Sequence, residues 1–168
     1  MGIINEEIPN YDHYDIEEEA RLLRLALAEN NLEVDENFFK KIGRGDIVEI
    51  YSFPENKQLY CNREFRRLCS YTEQQLRENP FTKLYWRPDE AHHALIERAT
   101  HVVGHELGAV EWGLPTHEMI ESLHPRKRTW EMQMRWIAPC FNVKTHKKEA
   151  FVTAHLALCI FEWDEDLD

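Results

Sequence analysis

A chain of 168 residues is long enough for one domain with a full core and too short for two comfortable ones. Its apolar fraction of 43% argues against disorder, and its net charge of −11 works against binding to nucleic acid or to an anionic membrane surface. Four cysteines without a Cys-x-x-Cys pair, no secretory leader and no apolar stretch long enough to span a bilayer predict a cytoplasmic protein with reduced thiols.

Residues 1–14 are polar and acidic and read as a flexible leader. A helix is expected to follow within 15–31. Asp15 is a suitable N-cap with Glu18 as its reciprocal partner, and Glu17, Glu18 and Glu19 suit the positive end of the helix dipole. Ile16, Ala20, Leu23 and Leu27 make one apolar seam, so this amphipathic helix must dock on something. Glu36 to Ile42 reads as a second short helical piece. Gly43-Arg44-Gly45-Asp46 then breaks the chain; the tetrapeptide matches a cell-adhesion motif, and coincidence is the better reading in a cytoplasmic chain.

Ile47 to Phe53 and Gln58 to Cys61 read as a hairpin around turn residues 54–57. Asn62 is placed to cap a short helix and Thr72 another, with Gln75 completing a capping box. Pro88-Asp89 opens a longer helix that Gly104 can stop. The last third alternates as strands, at Thr116 to Leu123, Trp130 to Phe141 and Glu149 to Trp163, before an acidic tail at 164–168. The basic runs Arg126-Lys127-Arg128 and Lys147-Lys148 are flanked by turn residues and read as solvated loop tips.

This order predicts an α+β domain with helices packed on an antiparallel sheet. The stretch from Leu59 to Leu76, LYCNREFRRLCSYTEQQL, makes it more specific. Its Asn-x-x-Phe and Tyr-Thr-x-x-Gln-Leu pieces resemble the PAS family, and the resemblance covers about 43–161. It implies a PAS-like domain at 43–163: a five-stranded antiparallel sheet with helices on one face, plus the N-terminal helix. It further implies a sensory or interaction module rather than an enzyme, dimeric through the N-terminal helix and the outer sheet face. The Lys-Asp-Gly turn usual in that family is replaced by Leu123-His124-Pro125-Arg126, and the Asp-Ile-Thr-like exit to an output domain is absent. A stand-alone sensor, an adaptor or a fragment is therefore expected, working through a downstream signalling protein.

The expected ligand pocket lies between the inner sheet face and the long helix. Tyr85, His92, Ile96, Met132, Met134, Trp136, Leu156 and Leu158 are its candidate lining residues for a small-molecule ligand. Trp and Met at those positions serve equally well as plain core filling. The cofactor is open: some PAS proteins hold haem through a histidine on this helix, and His92 is the candidate here. His101 and His105 have the i, i+4 spacing of a helical zinc pair but lack a third ligand. On the final strand Val152, Ala154, Leu156, Leu158 and Ile160 alternate as one apolar face, and the other face is mostly apolar too. Both faces should therefore be covered. A small enzyme on a similar fold is a weaker alternative, which a pocket with two polarised titratable groups in contact would favour.

Overall fold

The computed structural model describes residues 2–104, 111–123 and 127–164. Strand β1 (Gly2–Glu7) leads into helix α1 (Ile16–Glu29), the two-residue strand β2 (Leu32–Glu33) and helix α2 (Asn37–Lys41). The hairpin β3 (Ile47–Ser52) and β4 (Gln58–Cys61) follows, then the short helices α3 (Arg63–Leu68), α4 (Glu73–Glu78) and α5 (Phe81–Leu84). The short strand β5 (Tyr85–Trp86) precedes the long helix α6 (Asp89–Gly104), and strands β6 (Glu111–Glu121), β7 (Lys127–Asn142) and β8 (Lys148–Asp164) complete the chain.

Local chemistry accounts for the helix starts. The Asp15 carboxylate accepts the Glu18 backbone N–H, the Asn62 side chain accepts that of Phe65, and Thr72 and Gln75 close a capping box. Each cap satisfies a donor that the first helical turn leaves without a partner.

The sheet differs from the five-stranded expectation. Eight strands among the described residues form one antiparallel, curled half-barrel in the order β4-β3-β8-β7-β6-β5, with β1 on β8 and β2 on β7. The three added strands escape a reading by alternation. Strands β2 and β5 have only two residues each, and Gly2–Glu7, expected as a flexible leader, pairs with Ile160–Asp164. Such strands form because a neighbour offers a free edge, which the local sequence does not encode.

Helices cover both faces rather than one. On the inner face, α3 to α6 bury Phe65, Leu68, Phe81, Leu84, Leu95 and Ala99 against Met132, Met134, Ile137 and Phe151. On the outer face, α1 and α2 bury Leu23, Ala26, Leu27 and Phe38 against Val48, Ile50, Ala138, Val152 and Ala154. The apolar seam of α1 is thus satisfied by the chain's own sheet.

Bulges decide which residues face which core. The β7–β8 register shifts between Glu131 and Met132 and again between Met134 and Trp136. Arg135 is the extra residue on β7, so Met134 faces inward while Trp136 joins the outer core beside Ala138. Leu158 is the extra residue on β8, so Ile160 and Ala157 both face inward and Leu158 is left exposed. The single apolar face read along Val152 to Ile160 is therefore split between the two cores.

The Gly-Arg-Gly-Asp tetrapeptide is a structural turn. Asp46 is fully buried and takes hydrogen bonds from the Gly43 N–H at 2.6 Å and from Arg135 Nη1 at 2.9 and 3.1 Å. Its backbone carbonyl accepts from Tyr14 and Asn62. Gly45 has φ +88°, a left-handed conformation, and its Cα faces the Tyr11 ring so closely that a Cβ would stand 2.6 Å from it.

Candidate functional site

A small cavity sits between the inner sheet face and the β5–α6 segment. Its wall is largely apolar, with Phe65, Phe81, Leu95, Met119 and Phe151 among its residues. Polar side chains share that wall, among them Glu49 and Tyr51 from β3, Thr153 and His155 from β8, and Arg87 from the β5–α6 junction. Alternation along β3 and β8 turns all four strand residues to the same face. The free volume is about 20 Å³, room for roughly one water molecule.

The polar groups are buried and incompletely matched. The Tyr51 hydroxyl donates to the Glu49 carboxylate. Burial pushes the Glu49 carboxyl up to about 7, against the opposing pull of the Tyr51 hydrogen bond and the Arg87 charge. Arg87 Nη2 donates to the Met119 thioether at 3.0 Å, and the guanidinium stands 6.0 Å from the Phe81 ring centre. Its Nε and Nη1 are buried with no hydrogen-bond partner among the described residues. His155 Nε2 bonds Thr153 Oγ1 at 2.9 Å, while Nδ1 is buried without a partner among the described residues. Burial, with the charge of Arg87 beside it, pushes His155 well below the usual histidine range and so keeps it neutral.

Beside this cavity a more open groove of about 370 Å³ runs between α6 and β6, lined by Pro88, Ala91, Ala94, Leu114, Pro115 and His117. His117 Nδ1 donates to the Pro115 carbonyl at 2.9 Å, which leaves Nε2 as a buried acceptor with no partner among the described residues. Burial also lowers the pKa of His117, with Arg87 adding to the effect.

Of the residues singled out from sequence, Tyr85, Met132 and Met134 line the cavity. Ile96 packs against the inner core without reaching the cavity wall. Trp136 lies on the outer face with the Lys41 ammonium 3.9 Å from its ring centre. Leu156 is half-buried and Leu158 exposed, both off the cavity wall. His92 is half-buried, 6.2 Å from the His93 ring and also off that wall. A cavity of about 20 Å³ does not fit a haem, and the described residues contain no group of three or more His, Cys, Asp or Glu able to hold a metal ion. His105, of the proposed zinc pair, lies outside the described residues.

The sequence reading passed over Glu49, Tyr51, Arg87, Thr153 and His155. One signal was present for three of them: Glu49 interrupts the apolar run Ile47 to Ile50, and Thr153 and His155 interrupt the apolar run of β8. A polar side chain inside a strand buried on both faces needs a partner or a purpose.

No protein-family model matches the chain, and no curated protein sequence matches it. Among solved structures 26 chains match. One is the crystal structure of a domain of a protein described as a light and redox sensing histidine kinase from Haloarcula marismortui. It is 13% identical, with a TM-score of 0.42, and the match covers 73% of this chain and 95% of that one. No helix among the described residues is long and apolar enough to cross a membrane.

Proposed function

We propose that this chain is a sensory binding module whose small-molecule ligand occupies the interior cavity, and whose response is a shift in how the β5–α6 segment packs on the sheet. One observation carries the reading. Arg87 is 7% exposed and two of its three nitrogens have no hydrogen-bond partner among the described residues, in a cavity that also holds Glu49 and His155. A buried guanidinium held by one thioether and one ring is poorly compensated, and a polar ligand would supply what the protein does not. Met119, Met132 and Met134 give the wall unbranched side chains that can move aside for it.

Association of two copies, or with a downstream signalling protein, would carry the response outward. Because the apolar seam of α1 is buried on its own sheet, these contacts would use other surfaces. Native mass spectrometry of the purified full chain tests both parts. The expected result is a dimer with a retained small molecule that leaves on denaturation. A chain that binds no member of a broad panel of small polar compounds would sink the ligand reading.

A second reading is favoured by the Glu49–Tyr51 contact. A buried carboxyl poised near neutral pH beside a phenol is the equipment of a proton-transfer enzyme. Incubating protein and bound ligand in D2O separates the two readings. A binding module returns the ligand unchanged, whereas a catalyst exchanges a ligand C–H for deuterium, and Glu49→Gln abolishes the exchange.

A further inference from the structure

The structure assigns the ligand a chemical class: a small hydroxycarboxylate, gripped at its carboxylate by Arg87 and at its hydroxyl by His155. This deepens the binding-module reading above and rests on it. The argument starts from the hydrogens that Arg87 has left. Nη2 carries two N–H groups and Met119 Sδ takes one, while Nε and Nη1 have no partner among the described residues. Whichever edge of the guanidinium the thioether leaves open therefore presents two parallel N–H groups. A carboxylate accepts such an edge with two charge-assisted bonds, and its planar shape suits the fork.

Charge selects against the larger anions. Among the described residues Arg87 is the one fixed cation on the cavity wall, and the Glu49 carboxyl and Tyr51 hydroxyl share that wall. A single negative charge matches Arg87; a phosphate dianion would bring a second charge into an apolar chamber with nothing to balance it. The free nitrogen of His155 selects the second group. With Nε2 held by Thr153, a neutral ring offers Nδ1 as either a donor or an acceptor according to its tautomer. A hydroxyl satisfies both cases, because it donates and accepts, whereas a methyl group satisfies neither.

Size follows from the wall. The starting volume of about 20 Å³ and the rings of Phe65, Phe81 and Phe151 limit the ligand to a few heavy atoms even after the methionines move. Glycolate and lactate have this size and this pair of groups.

Full-length protein labelled with 13C at the methionine methyls reports binding at Met119, Met132 and Met134 directly. Glycolate and lactate are expected to shift these signals. Acetate, lacking the hydroxyl, should bind several-fold more weakly, and phosphate and ethylene glycol should leave the signals in place. Arg87→Gln should weaken glycolate about ten-fold or more. His155→Phe should bring glycolate down to the acetate affinity without changing acetate itself. Should either variant fail to fold, the ranking of the four probes on the unsubstituted protein still decides the matter. Equal binding of acetate and glycolate, or stronger binding of phosphate, overturns the class while leaving a ligand site in place. Uncharged compounds that shift the methionines as well as glycolate does would have the same effect. No shift from any probe means that ordered water alone serves Arg87, and it overturns both the class and the binding-module reading.

Discussion

At the scale of single residues, Glu49 sets a measurable pH dependence. Its carboxyl is raised from its ordinary value near 4.5 to about 7, chiefly by burial. A raised carboxyl pKa means that the folded state holds the proton more tightly than the unfolded state does. The stability it contributes is therefore complete below about pH 4.5 and is lost as pH rises toward 7, by about 3 kcal/mol in all. Asp46, raised to about 6 by its own burial, acts in the same direction at lower pH. His155 and His117, both lowered, act oppositely: their contribution is present above the ordinary histidine pKa and is lost as pH falls. Comparing Glu49→Gln with the unsubstituted chain cancels these other groups. Urea titrations should find the variant's relative stability rising by up to about 3 kcal/mol between pH 5 and pH 8. A difference that stays flat would show that Glu49 pays no desolvation cost.

Gly45 offers a second test at this scale. Its φ of +88° and the 2.6 Å approach of the Tyr11 ring leave no space for a side chain. Gly45→Ala should cost about 1–3 kcal/mol, read as a lower urea midpoint with unchanged slope. Among the described residues Gly104 meets nothing within 4 Å at its Cβ position, and Gly104→Ala should be close to neutral.

At the scale of elements, what was legible in the sequence was local and what was not was relational. The caps at Asp15, Asn62 and Thr72 are visible because a side chain and an N–H three residues later are enough to form them. The outward and inward faces of β7 and β8 were not, because Arg135 and Leu158 are bulge residues only by virtue of how the two strands pair. One inserted residue exchanges the faces beyond it, which moved Trp136 out of the expected pocket and brought Ile160 into the inner core. The candidate site was half-visible for the same reason. Met132 and Met134 lie between these bulges and face inward, while Tyr85 sits on, and Arg87 just after, a two-residue strand that only pairing creates. Helix α1 gives a prediction at this scale. Leu23 is fully buried on the outer sheet face and Leu25 is 49% exposed two residues away. Leu23→Ala should cost about 2–5 kcal/mol in chemical denaturation, and Leu25→Ala no more than about 0.5. Comparable losses at both positions would mean that the exposed side of α1 is covered by a second copy.

At the scale of the whole molecule, the two cores are not independent, because they share their strands. β3, β7 and β8 each send alternate side chains to the inner and the outer cluster. β8 is also hydrogen-bonded along both edges, to β7 on one side and to β3 and β1 on the other. Opening either helical layer exposes a face of the same three strands, so those strands should lose their structure only when everything does. The periphery is held differently: β4 is a four-residue edge and β5 pairs through two residues. Amide hydrogen exchange should therefore be slowest at 150–155 and 130–138, with protection approaching the global unfolding free energy, and markedly faster at 58–61 and 85–86. A uniform profile would count against this division. The slow and fast regions meet at the cavity, where Arg87 follows the weakly held β5 and its neighbours His155 and Met134 sit on the rigid centre. A ligand bridging Arg87 and His155 would fasten one to the other. Adding it should slow exchange at 85–86 and along the first turns of α6, because opening there would release the ligand, and should slow 150–155 as well, by the amount that the ligand adds to global stability.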